Sequence, residues 1–290
     1  MTKKELIEDY AVKVYNQIDK YHILFPNGID QLIDINGIKI WINKIEKGGR
    51  RYLIHHSEAI NPVYRLIGLD YNPRLILDIG ANYGFISAVM HKYIPNATII
   101  AVEPNKKLIP YLKRNFELNG IKGTISNAMV GRDTSTEHDF FISPRSSMDS
   151  RVVGKNKWKK QPVESVSIDS LLKGNNDPVF IKIDTQGFEE YILQGGENFL
   201  STHNNWVIKM EFCPILFEHH GTNTREFLLC LIDKYDVAEI ADIPFKSKSL
   251  KSIFVDKLNE DDVDGFIKYI RMKKENEIGW GDVLVRPKQV

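Results

Sequence analysis

The stretch LILDIGANYGFISAVM, residues 75–90, ends an apolar run with Asp78 and sets Gly80 and Gly84 before a second apolar run. A strand that enters a glycine turn and then a helix marks the place where open α/β sheets receive ligands, beyond the carboxyl ends of their strands. A dinucleotide fingerprint, G-x-G-x-x-G, needs a middle glycine so that the backbone can approach a pyrophosphate, and here that position is Asn82. Asp78 would repel a pyrophosphate and favour a ligand with an ammonium or sulfonium group. The ligand expected is a cationic nucleoside without phosphate, a description that S-adenosylmethionine fits. Glu103, in AVEP at the end of the next apolar run, lies near the spacing of about 20 residues at which an acid binds a ribose diol. Asn127, in SNAMVG, is placed to read the adenine edge. Plainer roles exist for each: a glycine turn is common, Glu103 before Pro104 can start a helix, and Asn127 can form a turn. Their combination in a strand–turn–helix–strand context favours a nucleoside site.

Short apolar strands alternating with helical stretches must carry these residues, the pattern of a parallel sheet covered on both faces. RLILDIG, TIIAVEP, GTISNAMVG, VFIKID and WVIKMEF are the candidate strands. Residues 85–93, 105–118, 168–172 and 188–193 have helical spacing, with Asn119-Gly120 and Gly195-Gly196 as left-handed stops. A helix from Thr224 leads into DVAEIADI, and WGDVLVRP closes a terminal pair of strands before Pro287. Between them, LNEDDVDGFIKYIRMKK predicts a helix started by Asn259. Ahead of residue 75 the pattern predicts helices over 4–21 and 59–69, around a hairpin that turns at Asn36-Gly37. The division expected is an N-terminal cap, residues 1–74, and a ligand-binding domain, residues 75–290.

The 39 Lys and Arg against 38 Asp and Glu give no bulk field toward nucleic acid or an anionic membrane. A small-molecule or neutral partner is favoured. Two cysteines, Cys213 and Cys230, are too few for a disulfide scaffold or a four-ligand zinc site, and no uncharged apolar run approaches spanning length. A cytoplasmic location is expected, and the oligomeric state is not legible.

LDIGANYG, AVEP, VESVSIDSLL, FIKIDTQGFEEYILQGG and WVIKMEF, in that order, resemble the FkbM-type class I methyltransferases. The resemblance covers residues 75–212 well and the ends poorly. It implies a Rossmann-like seven-stranded sheet, mostly parallel with an antiparallel last strand, S-adenosylmethionine as donor, and methylation of a hydroxyl on a sugar or natural product. Asp78, Gly80, Asn82 and Glu103 match its donor-binding positions. The family commonly has an acid two residues after Asp184, where this chain has Gln186.

Transfer of a methyl from a sulfonium needs the acceptor oxygen held at attack geometry, and an alcohol must also lose a proton to a base. Asp184 and Glu211 end candidate strands, and His219 and His220 follow in FEHHG, so the catalytic candidates are Asp184, Glu211 and His219. Asp184 could instead cap a helix, Glu211 could pair with Lys182 or Lys209, and both histidines could be surface residues. Mg²⁺ held by Asp184, Glu211 and a histidine is a further option, but the spacing resembles no dedicated cation loop, and a metal-free base is preferred. Residues 143–160 read as a loop that folds over the ligands, with Trp158 stacking on a sugar face. A nicotinamide oxidoreductase is disfavoured by Asn82 and Asp78, while a non-catalytic nucleoside-binding scaffold remains an alternative.

Overall fold

The computed structural model describes residues 29–54, 71–155, 157–240, 245, 257–275 and 278–288, so the helices expected over 4–21 and 59–69 lie outside it. The described chain begins with a hairpin of β1 (Asp30–Ile35) and β2 (Ile38–Asn43) and with α1 (Lys47–Ile54). The nucleoside half follows as β3 (Leu75–Ile79), α2 (Phe85–Tyr93), β4 (Thr98–Val102), α3 (Ile109–Leu118) and β5 (Gly123–Ser126). Three further strands, β6 (Met129–Val130), β7 (Glu137–Ile142) and β8 (Lys159–Val166), precede α4 (Ile168–Leu171) and β9 (Val179–Ile183). Then come α5 (Glu189–Gln194), α6 (Glu197–Thr202), β10 (Trp206–Phe212), α7 (Pro214–His219), α8 (Thr224–Lys234) and β11 (Tyr235–Ile240). The chain closes with α9 (Val263–Met272), β12 (Lys274–Glu275), β13 (Ile278–Gly279) and β14 (Gly281–Pro287).

Seven strands form the main sheet in the order β11-β14-β10-β9-β3-β4-β5. β3, β4, β5, β9 and β10 pair in parallel, and β14 inserts antiparallel between β10 and β11. The alternating side chains explain why both faces are covered. In β3, Leu77 and Ile79 join one core with Ile181, Ile183, Phe212 and Phe217, whereas Ile76 faces the other with Phe180, Val89 and Leu112. Burying such side chains contributes roughly 1.5–3 kcal/mol each relative to exposure.

The hairpin turns at Asn36 and Gly37, both at positive φ, as the Asn-Gly signal requires. Its isoleucines 33, 35, 38, 40 and 42 are buried in the second core with α2 and α3. Asn115 locks this contact: its fully buried amide accepts from Trp41 N at 2.6 Å and donates to the carbonyls of Trp41 and Tyr83 at 3.0 and 2.8 Å.

Four details depart from the sequence pattern, and the first is that GTISNAMVG is not one strand but two, β5 in the main sheet and β6 beside β8 in a separate sheet. Gly195 and Gly196 have φ −73° and −114°, so they are no left-handed stop and α5 passes directly into α6. Helix α3 begins at Ile109 rather than at 105, because Glu103 and Asn105 bond the backbone ahead of it. Residues 137–142 form a strand, β7, antiparallel to β8, which the alternation in EHDFFI signals only weakly. The segment expected to be an irregular loop is therefore the connection of a hairpin, with a short helical turn at Ser147–Asp149.

Candidate active site

A cavity of about 480 Å³ opens at the carboxyl ends of the parallel strands. One end lies under the turn between β3 and α2. Gly80 has φ +76°, and a Cβ there would stand 2.1 Å from the Asp184 carbonyl oxygen, so glycine lets the turn rest against the end of β9. Asn82 is also left-handed, φ +52°, a conformation Asn tolerates better than most residues. That twist aims its N–H at Glu103 Oε2, 2.8 Å away, while Glu103 Oε1 accepts from Asn105 N at 2.7 Å. Burial pushes the Glu103 carboxyl up to about 7, against the opposing pull of the two backbone donors and Lys182. Ala128, Met129, Val130 and Phe140 supply an apolar wall beside it.

Asp78 is not at the mouth of this cavity. It is 1% exposed, accepts from Ser87 Oγ at 2.5 Å, and faces Lys182 Nζ at 3.3 Å. Lys182 also donates to the carbonyls of Gly80 and Ile79, at 2.8 and 3.2 Å. The direct attraction expected between Asp78 and a cationic ligand is thus corrected: Asp78 and Lys182 form a buried pair beneath the turn and hold its backbone in place. The signal was in the sequence, since a lysine inside the run VFIKI must find a carboxylate when both sheet faces are buried.

Asp184, Gln186, Glu211, Lys209 and Asp282 line the other end. The side chain of Asp184 is 47% exposed and lies 3.8 Å from Lys182, while Asp282 pairs with Lys209 at 2.7 Å. Gln186 Nε2 donates to Glu211 Oε2 at 3.1 Å and reaches Asp184 Oδ1 at 3.5 Å. Burial raises the proton affinity of Glu211 well above the ordinary carboxylate range, Asp184, Glu189 and Asp282 add to it, and Lys209 opposes it. Asp184 and Glu211 are brought together as the strand-end pattern predicts. Trp280 and Asp282, which the sequence reading missed, enter because β14 inserts beside β10 and sets Asp282 opposite Glu211.

Other candidates fall elsewhere. Gly84 caps α2 beneath Leu112 and does not line the cavity. Asn127 is exposed, and its amide donates to the carbonyls of Glu103 and Pro104 at 2.9 and 3.0 Å, so it ties down the loop after β4 instead of facing the cavity. His219 is exposed at the end of α7 and lies outside the cavity lining. His220 is the buried one, packed edge-on to Phe188 and pushed down to about 4 by burial and Arg151, but it too is absent from the lining. Trp158 stands beside the Arg151 guanidinium, 5.2 Å from its ring centroid, and not over the cavity.

The 143–160 segment does reach the cavity, through Ser147 to Ser150 and Val152. Glu46, which no motif marks, fastens it: its carboxylate accepts from Ser147 N at 2.5 Å, Ser147 Oγ at 3.0 Å, the N–H groups of Gly48 and Gly49, and the Tyr83 hydroxyl. Among the described residues, no group of three or more His, Cys, Asp or Glu is arranged to hold a metal ion, and no helix is long and apolar enough to cross a membrane.

A mostly parallel sheet with one inserted antiparallel strand, and a glycine turn over a buried strand-end acid, define a Rossmann-like fold of the class I methyltransferase type. Solved structures similar to it include a precorrin-6y C5,15-methyltransferase from Geobacter metallireducens GS-15, 15% identical over 79% of this chain and 87% of that one, with TM-score 0.41. Another is TYW2 of M. jannaschii in complex with AdoMet, 14% identical over 91% and 88% of the two chains, with TM-score 0.44. No curated protein sequence matches the chain. The methyltransferase FkbM domain matches residues 78–244, more than half of the sequence. The chain belongs to the FkbM methyltransferase family and is an S-adenosylmethionine-dependent methyltransferase.

Proposed function

We propose that the protein methylates a hydroxyl group of a sugar, polysaccharide or glycosylated metabolite, with Glu211 as the base. The observation that carries this reading is Glu211 itself: a carboxylate with raised proton affinity on the wall of the cavity, at the end opposite Glu103. Bound S-adenosylmethionine supplies an electrophilic methyl group on a sulfonium. Glu103, already oriented by two backbone N–H groups, is suited to accept from the ribose hydroxyls, and Ala128, Met129, Val130 and Phe140 suit the adenine ring. Asp184 is suited to the methionine ammonium.

Glu211 takes the hydroxyl proton as the acceptor oxygen bonds to the methyl carbon and the carbon–sulfur electron pair returns to sulfur. A base whose proton affinity burial raises above the ordinary carboxylate range matches this task better than an exposed carboxylate, which is a weaker base toward an alcohol. The cavity lining carries Glu103, Asp149, Asp184, Glu211 and Asp282 against Arg51, Lys182 and Lys209, a balance that disfavours polyanionic acceptors such as nucleic acid. Residues 75–290 form the methyltransferase domain in this reading and residues 1–74 its cap, and the two free cysteines fit a cytoplasmic protein.

Incubation with S-adenosylmethionine and a panel of glycans, read by mass spectrometry, is expected to show the gain of one methyl group on a glycan. Methylation of amines or nucleic acid alone would overturn the acceptor class. S-adenosylhomocysteine is expected to raise the melting temperature, since a ligand at about 100 times its Kd contributes roughly 2.7 kcal/mol. NADH is expected to leave it unchanged.

A further inference from the structure

We propose that Gln186 is a positioning residue for Glu211: its amide holds the Oε2 oxygen, stabilises the ionised carboxylate and turns the remaining oxygen toward the acceptor hydroxyl. The proposal rests on Glu211 being the base and extends it to a residue whose type departs from the acid that the family pattern leads one to expect at this position.

The backbone is built for this contact. Gln186 has φ +62° and is followed by Gly187 at φ +106°, so two consecutive residues leave the ordinary regions just after the end of β9. A non-glycine residue held there needs surroundings that over-determine it, and such residues cluster at functional sites. Both sides of the loop are clamped. Before it, the fully buried Glu189 accepts from Thr185 N and Thr185 Oγ1, each at 3.0 Å. After it, a Cβ on Gly187 would lie 2.6 Å from the Leu216 carbonyl oxygen, so only glycine lets the loop rest against α7. The clamped loop presents the Gln186 amide to Glu211 at 3.1 Å and to Asp184 at 3.5 Å.

The charges around Glu211 favour a neutral donor in that place. Asp184 from the end of β9, Glu189 from α5 and Asp282 from β14 all raise the proton affinity of Glu211. Lys209, on Glu211's own strand, opposes them while paired with Asp282, and the Cys213 thiol lies just beyond the strand. A primary amide has two N–H donors and no charge, so it can donate to both carboxylates at once. A carboxylate at position 186 would add another like charge and no donor.

The test is the titration of Glu211, followed by ¹³C NMR of carboxyl-labelled glutamate in the full-length protein and assigned through the loss of one signal in Glu211→Gln. In Gln186→Ala the midpoint is expected to rise by about one to two pH units, the equivalent of one hydrogen bond to a charged acceptor. Gln186→Glu is expected to raise it further. An unchanged midpoint in the folded variants would reduce Gln186 to a loop former and overturn the proposal. Gln186→Leu gives the same readout if the alanine variant fails to fold. Full methyl transfer by Glu211→Gln would instead show that the base assignment has failed, and this outcome is distinct from an unmoved midpoint.

Discussion

The two ends of the cavity are built in different ways. Under the glycine turn, the backbone does most of the shaping: the twists at Gly80 and Asn82 deliver an N–H to Glu103, and Glu103 is satisfied by main-chain donors. At the far end, side chains from three strands and a loop meet, and the carboxylates of Asp184, Glu211 and Asp282 are moderated by Gln186 and Lys209 rather than by backbone. A site for one invariant ligand can be hard-wired into the main chain. A site whose job is to move a proton needs groups whose charge can change, and those must be balanced by other side chains. Lys182 stands between the ends, touching Asp78, the Gly80 carbonyl and Asp184.

The largest effect is expected at the far end. Glu211→Gln should lower kcat by roughly 10²–10⁴, the range for loss of a general base, while calorimetry finds donor affinity nearly unchanged. Activity of the wild-type protein should survive EDTA. A variant as active as wild type would erase the functional difference between the two ends.

Lys182→Met attacks the seam. It leaves Asp78 buried and uncompensated, and breaking such a pair costs about 3–5 kcal/mol, readable as a drop in the urea midpoint. The double variant Lys182→Met, Asp78→Asn should recover most of that loss. If the single variant unfolds at the wild-type midpoint, Lys182 does not hold the two ends together.

Glu103→Ala should weaken donor binding by roughly ten- to a hundredfold, because charge-assisted hydrogen bonds of about 1.5–3 kcal/mol are removed, and leave the fold intact. The same carboxyl sets a pH dependence. Its folded proton affinity is pushed up to about 7, so below that pH the empty site is protonated and binding must first expel a proton. Donor affinity is expected to fall about tenfold between about pH 8 and about pH 6, and to become flat in Glu103→Gln. Linkage also makes this group favour the folded state at acid pH and lose that contribution as pH rises toward about 7. A flat profile in the wild type would show that Glu103 is ionised throughout.

The smallest effect sharpens the boundary. His219→Gln should change turnover by less than about twofold, since exposed positions away from the chemistry are close to neutral. A loss comparable to that of Glu211→Gln would bring α7 into the site.

Much of this molecule was legible in its sequence because it depends on neighbours along the chain. Short continuous apolar runs predicted the parallel strands, alternation around Asn36-Gly37 predicted the hairpin, and strand-end acids predicted that Glu103, Asp184 and Glu211 would gather at one edge of the sheet. A strand's end points where the strand points, whatever else the fold does. The tertiary structure decided the partnerships across long separations. It sent Asp78 into the interior because Lys182, about a hundred residues away, arrives at the same level of the adjacent strand. It exposed His219 and buried His220, since one residue of helix turns a side chain by about 100°. It placed Trp280 rather than Trp158 at the cavity, and Asp282 opposite Glu211, because β14 enters antiparallel between β10 and β11. Local periodicity determines which faces and ends a residue can occupy, but only the packing of the whole sheet determines which charges share a dry space and therefore which of them keep a proton.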